Sequence, residues 1–191
     1  MKRQAFIAKV VSEAMQAGIT IKLLNKFSIK KSGGWFSGKE LVVAYNSPQG
    51  FDTLLHEYCH MRQCIEKCKE WNDYVEGSSM AFTYWLNGMD VDAASAALSM
   101  NKCIALELDC EARALQCIKD YKLDIDAARY AKLANIYLYA HHRMLQQQKW
   151  FKNLYQDVNL DIVPDALLPL QCYIDDVDAN GKKVSEQLHI S

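Results

Sequence analysis

Apolar residues recur at helical spacing at the start of the chain, at Phe6, Val10, Val11 and Met15, and Gly18 offers a stop. The spacing predicts a first helix over about residues 3–17. The next stretch, ITIKLLNKFSIKK (19–31), is rich in β-formers and partly alternates. SGGWFSG (32–38) is turn material around Trp35, and KELVVAYN (39–46) is a short apolar run ended by Ser47-Pro48 and Gly50. Two or three strands are expected within 19–46, paired as antiparallel hairpins.

From Asp52 the pattern turns helical. Helices are expected over about 51–69, about 71–87 ending near Gly88, about 93–121 capped by Asp92, and from Asp126 to about 149. The tail after Trp150 is mixed, with Pro164, Pro169, a turn at Asn180-Gly181 and short apolar runs such as LQCYI. It would add small strands or wrap the surface. The expected class is α+β, a small N-terminal antiparallel sheet packed on a mainly helical bundle. One domain covers 1–191, with helix and sheet in 1–50, a helical core in 51–149 and the tail in 150–191.

Composition narrows the function classes. The 191 residues are 50% hydrophobic and 24% charged, enough for a real core, and the formal net charge is −1. Such a balance does not describe a nucleic-acid surface. The short basic cluster Lys26, Lys30 and Lys31 reads as a solvated loop. No apolar run approaches the roughly 20 residues of a membrane span. Lys9 and Glu13 interrupt the N-terminal apolar stretch, so it reads as a mature helix and not a secretion signal. Seven cysteines, mostly within helical patterns, fit reduced thiols and a cytoplasmic location.

The candidate chemistry sits in FDTLLHEYCHMRQC (51–64), which carries His56, Glu57 and His60 in the order H-E-x-x-H. On a helix, residues four apart share a face, so both imidazoles can reach one metal ion. Zinc binds neutral imidazole and acidifies its bound water. Glu57, beside His56, would take the proton from that water and later deliver it to a leaving amine. The plain alternative is an ordinary helix with surface histidines. Against it, the motif opens a helix after a strand-like run and is surrounded by Leu54, Leu55, Tyr58 and Met61.

A catalytic zinc site usually has three protein ligands. Extension to H-E-x-x-H-x-x-G-x-x-H fails, because Gln63 and Glu66 stand where glycine and histidine are needed. An upstream cysteine ligand fails too, because no cysteine precedes Cys59. ALELDCEARAL (105–115) offers Glu107 and Glu111, four apart, on a side shared by Cys103, Cys110, Ala114 and Cys117. That side reads as buried, where acids need partners. This order resembles the gluzincin pattern of H-E-x-x-H followed by E-x-x-x-D, of the compact kind found in small phage and bacterial metallopeptidases. The resemblance covers roughly residues 39–117. It implies a zincin-like bundle, Zn2+ held by His56, His60 and Glu107, Glu57 as general base, and Glu111 backing a ligand histidine. Glutamate stands at 111 where the pattern has Asp or Asn, so Glu111 remains an alternative ligand. The resemblance also implies a peptide or protein substrate, with KELVVAYN the candidate edge strand to pair with it and a plain core strand the equal alternative.

His141 and Tyr137, on the last long helix, are candidate oxyanion stabilisers, with ordinary helix packing as the alternative. Cys59 points away from the face of His56 and His60 and reads as packing. A second reading of the whole chain is a non-catalytic zincin-like interaction or regulatory protein of a phage or bacterium.

Overall fold

The computed structural model describes residues 3–29, 33–76, 80–151, 154–155, 158–184 and 188. Helix α1 (Arg3–Gln16) leads to β1 (Thr20–Leu24), β2 (Gly34–Phe36) and β3 (Glu40–Ala44). Then come α2 (Gly50–Glu66), α3 (Lys69–Val75), α4 (Met80–Leu86), α5 (Ala93–Asp120) and α6 (Ala127–Gln147). A short 3-10 turn at Leu160–Ile162 and α7 (Leu170–Asp175) complete the order. The class is α+β, a small three-stranded sheet packed with helices. Among the described residues, no helix is long and apolar enough to cross a membrane.

Local signals did what their chemistry dictates. Gly18 ends α1 with a positive φ of 68°. Asp92 accepts from the backbone N–H of Ser95 at 2.8 Å, and Asp126 from that of Arg129 at 3.1 Å, so both acids cap the helices that follow them. The face that α1 buries is Phe6, Val10 and Ala14, while Met15 is exposed. Phe6, Val10 and Ala14 form one stripe at a spacing of four, and Val11 and Met15, at the same spacing, lie outside it. Lys26 is exposed, and Lys30 and Lys31 lie outside the described residues.

The sheet departs from the expected hairpins. Its order is β1-β3-β2, with β1 parallel to β3 and β2 antiparallel to it. Only the β2–β3 pair is a hairpin, closed through Gly38 at φ 81°. Consequently β3, expected at an edge for substrate pairing, is the central strand. Its side chains explain why: Leu41, Val42, Val43 and Ala44 are all buried, and an unbroken apolar run is satisfied only where both faces are covered. Trp35, expected in a turn, lies in β2. A Cβ on Gly34 would come within 2.7 Å of the Val42 carbonyl oxygen, so glycine permits this close strand approach. The expected helix over 71–87 is instead the separate α3 and α4, with 77–79 outside the described residues. LQCYI, expected as a strand or a wrap, is α7.

The described chain forms two compact units. The first comprises Met1–Trp71 and Cys110–Ile125, the second Asn72–Asp109 and Asp126–Ser191. In the first, α2 packs on α1, β2 and β3. Phe6 is its aromatic centre, with ring centroids 5.9 Å from Phe51, 5.3 Å from Tyr58 and 5.6 Å from Tyr121. The second is built on Ile104, Ile136, Leu138, Tyr139 and Tyr173. Its tail is tied to α6, where the Asn135 amide donates to the carbonyls of Pro164 at 2.8 Å and Ala166 at 3.0 Å.

Candidate metal centre

Helix α2 begins under tight constraint. A Cβ at Gly50 would stand 2.5 Å from the Tyr45 carbonyl oxygen, so the chain can leave β3 and enter α2 this sharply only through glycine. Farther along, polar bonds set how α2 lies within the first unit. The Tyr58 hydroxyl donates to Glu13 of α1 at 2.9 Å, and Arg62 donates to Glu13 at 3.1 Å and to Glu66 at 2.9 Å. Arg113, on the last part of α5, donates to Glu66 at 2.5 Å. Burial works against the Glu13 charge, but hydrogen bonds from Lys9, Arg62 and Tyr58 outweigh it and hold the carboxyl below its usual range.

On this anchored helix His56 is partly buried and His60 buried, one turn apart. Their Nε2 atoms face each other at 3.1 Å, and the rings meet edge to face. Each Nδ1 is held from behind. His56 Nδ1 lies 3.1 Å from Glu111 Oε1, and His60 Nδ1 lies 2.8 Å from Gln63 Oε1. A carboxylate and an amide oxygen accept only, so both Nδ1 atoms carry the proton and both Nε2 atoms present lone pairs. Two such lone pairs at 3.1 Å would repel unless a proton or a metal ion lay between them. Two imidazole nitrogens on one tetrahedral zinc would stand about 3.3 Å apart, from Zn–N bonds of roughly 2.0–2.1 Å. The donor atoms of His56, His60 and Cys110 all lie within 4.8 Å of one another and could hold a metal ion.

Cys110 was not singled out as a ligand by sequence reasoning. Its thiol donates to the His56 carbonyl oxygen at 3.3 Å and lies 3.7 Å from His56 Nδ1. The sulfur thus lies beside the nitrogen that Glu111 holds. Cys59 is buried and hydrogen-bonds Cys110. Its hydrogen bond to Cys110 and its burial push the thiol well up, and the contact from Cys117 offsets this only in part. Cys59 packs there as a neutral thiol.

Glu57 adjoins His56 on α2 and is buried. Glu111 is also buried, and its second oxygen has no hydrogen-bond partner among the described residues. The first unit thus brings together His56, Glu57, His60 and Glu111 from the expected set, and adds Gln63 and Cys110. Helical spacing could have pointed to Gln63, three residues beyond His60 and hence on its side of the helix.

Glu107, Tyr137 and His141 belong to the second unit. Glu107 is buried there. His141 is fully enclosed. Its Nδ1–H donates to the Tyr137 carbonyl at 3.0 Å, its Nε2 lies 3.6 Å from the Cys103 sulfur, and its ring stacks on Phe82. Burial pushes its pKa down, against the opposing pull of the Glu107 charge. The Tyr137 ring meets His141 edge-on at 5.0 Å. Beside them burial, with the charges of Cys103 and Glu107, pushes the Tyr74 phenol up to about 12. Within their unit, then, the two oxyanion candidates engage each other and the helical backbone.

No known protein family, no curated protein and no solved structure matches this chain.

Proposed function

We propose that the first unit holds a zinc ion between His56 and His60, and that the chain is a zinc-dependent hydrolase of peptide bonds with Glu57 as its proton carrier. The observation that carries this reading is the facing pair of Nε2 atoms at 3.1 Å, each ring with an acceptor at its opposite nitrogen. Imidazole donors suit zinc among the abundant divalent ions, and the preceding strand and the spacing H-E-x-x-H suit hydrolysis. Glu111 stands on His56 as the gluzincin resemblance implies for the residue that backs a ligand histidine.

Zinc held there supplies a water acid enough to be deprotonated near neutral pH. The Glu57 carboxylate accepts that proton and passes it to the nitrogen of the breaking peptide bond. Its burial strengthens the interaction with the developing positive charge on the leaving amine. Seven free thiols are consistent with a reducing compartment, and we place the protein in the cytoplasm.

The test is zinc content followed by turnover. The purified chain is expected to carry about one zinc and to cleave members of a peptide library. Glu57→Gln is expected to keep the zinc and lose cleavage. A chain that takes up no zinc ends this reading. Full turnover by the Glu57→Gln protein ends the mechanism. Zinc binding with no cleavage of any peptide favours the interaction protein instead.

A further inference from the structure

The two histidines are held by acceptors of different kinds, and the difference has a physical reason. His56 is backed from another helix by a carboxylate, Glu111, while His60 is backed from its own helix by an amide, Gln63. Gln63 is completely buried. An amide is costly to bury unless its polar atoms are used, and here the oxygen is committed to His60 at 2.8 Å. A glutamate would accept the same hydrogen bond. However, Glu57 and Glu111 are already buried in this unit, and a third buried carboxylate would add repulsion that a neutral amide avoids.

We infer that Gln63 is the positioning residue of His60, fixing its tautomer and ring so that Nε2 is presented to the ion. The inference rests on the zinc reading for its purpose, but not for its geometry. Without this acceptor the neutral ring is free to move its proton to Nε2, which removes the lone pair and closes the ligand position. The role assigned to Gln63 is exerted through its hydrogen bond to His60.

The experiment uses the full chain with Gln63→Leu, Gln63→Asn and Gln63→Glu. Nitrogen NMR of the metal-free protein reports each imidazole tautomer. In the parent protein both histidines are expected to be protonated at Nδ1. Gln63→Leu is expected to turn His60 into a mixture while His56, held by Glu111, stays unchanged. Gln63→Glu, which restores an acceptor, is expected to return His60 to Nδ1–H. Competition with a chelator should show zinc affinity falling about 10–100-fold in Gln63→Leu and largely recovering in Gln63→Glu. If Gln63→Leu does not fold, Gln63→Asn, which keeps the amide but draws it back by one methylene, is expected to show the same tautomer shift. A His60 tautomer that ignores all three substitutions overturns the inference. A parent protein that binds no zinc would instead overturn the proposed function, and the metal-free tautomers would still decide the role of Gln63.

Discussion

Glu111 Oε1 lies 3.1 Å from His56 Nδ1, and this contact joins α5 to the motif helix across 55 residues of sequence. A carboxylate on the far nitrogen fixes the tautomer of His56 and makes its Nε2 a stronger donor. The other Glu111 oxygen is buried without a hydrogen-bond partner among the described residues, so the carboxylate is only half satisfied in the absence of an ion.

Glu111→Gln is therefore expected to separate affinity from stability. Zinc affinity should fall about 10-fold or more, since the amide is a weaker acceptor. Metal-free stability should hold or rise, because a buried charge is removed. Chelator competition and urea denaturation of the metal-free protein check the two halves. Equal losses in both would mean that Glu111 is simply structural.

The third donor is open to a direct spectroscopic decision. Cys110 is gathered with the histidines in the first unit, whereas Glu107 is favoured by the gluzincin resemblance. The Cys110 sulfur lies 3.7 Å from His56 Nδ1, the nitrogen that Glu111 holds, and if that contact persists with metal bound, no thiolate enters the coordination sphere. Cobalt-substituted protein should then lack a sulfur-to-cobalt charge-transfer band, and Cys110→Ser should leave its spectrum in place. A strong near-ultraviolet band that Cys110→Ser removes would make Cys110 the ligand.

Gly50→Ala tests the entry into α2. Its methyl would meet the Tyr45 carbonyl oxygen at 2.5 Å, closer than any ordinary contact. Backbone must shift, at a cost of roughly 1–3 kcal/mol. Thermal melting should record the loss, and zinc affinity should drop with it because His56 lies less than two turns downstream. An unchanged melting temperature would mean that the bend tolerates a side chain.

Glu13 gives a pH signature. Its folded-state pKa lies below the ordinary 4.5 because the hydrogen bonds from Lys9, Arg62 and Tyr58 outweigh burial. A depressed value stabilises the fold above the ordinary pKa, and that stability is lost as the pH falls through the lowered folded value. Glu13→Gln should thus cost about 1 kcal/mol at neutral pH and progressively less in acid. Urea melts across the acid range check this. A gap that does not change with pH would mean the charge contributes nothing.

Local chemistry was legible in the chain itself. Asp92 and Asp126 cap the helices that follow because a short acid side chain reaches an N–H only three residues away. His56, Glu57 and His60 were readable because helical spacing alone puts both imidazoles on one face. The side that Glu107 and Glu111 share with Cys103, Cys110, Ala114 and Cys117 was likewise visible as a helical stripe; both acids, Cys110 and Ala114 are buried, and Cys103 and Cys117 partly so.

Other features depend on partners distant in sequence. The parallel pairing of Thr20–Leu24 with Glu40–Ala44 places β3 between two strands, and nothing in KELVVAYN by itself distinguishes a central strand from an edge. Trp35 entered a strand because Gly34 lets β2 approach β3 closely. Whether Glu111 or another acid backs His56 depends on how the Glu111 turn of α5 meets α2, which a separation of 55 residues leaves undetermined. Periodicity and spacing along the chain thus specified α1, α2, α5 and α6 and the histidine pair on one helix face. Only packing in three dimensions chose the acceptors behind each imidazole and turned the two Nε2 lone pairs toward each other, because hydrogen bonds form between atoms near in space and not merely near in sequence.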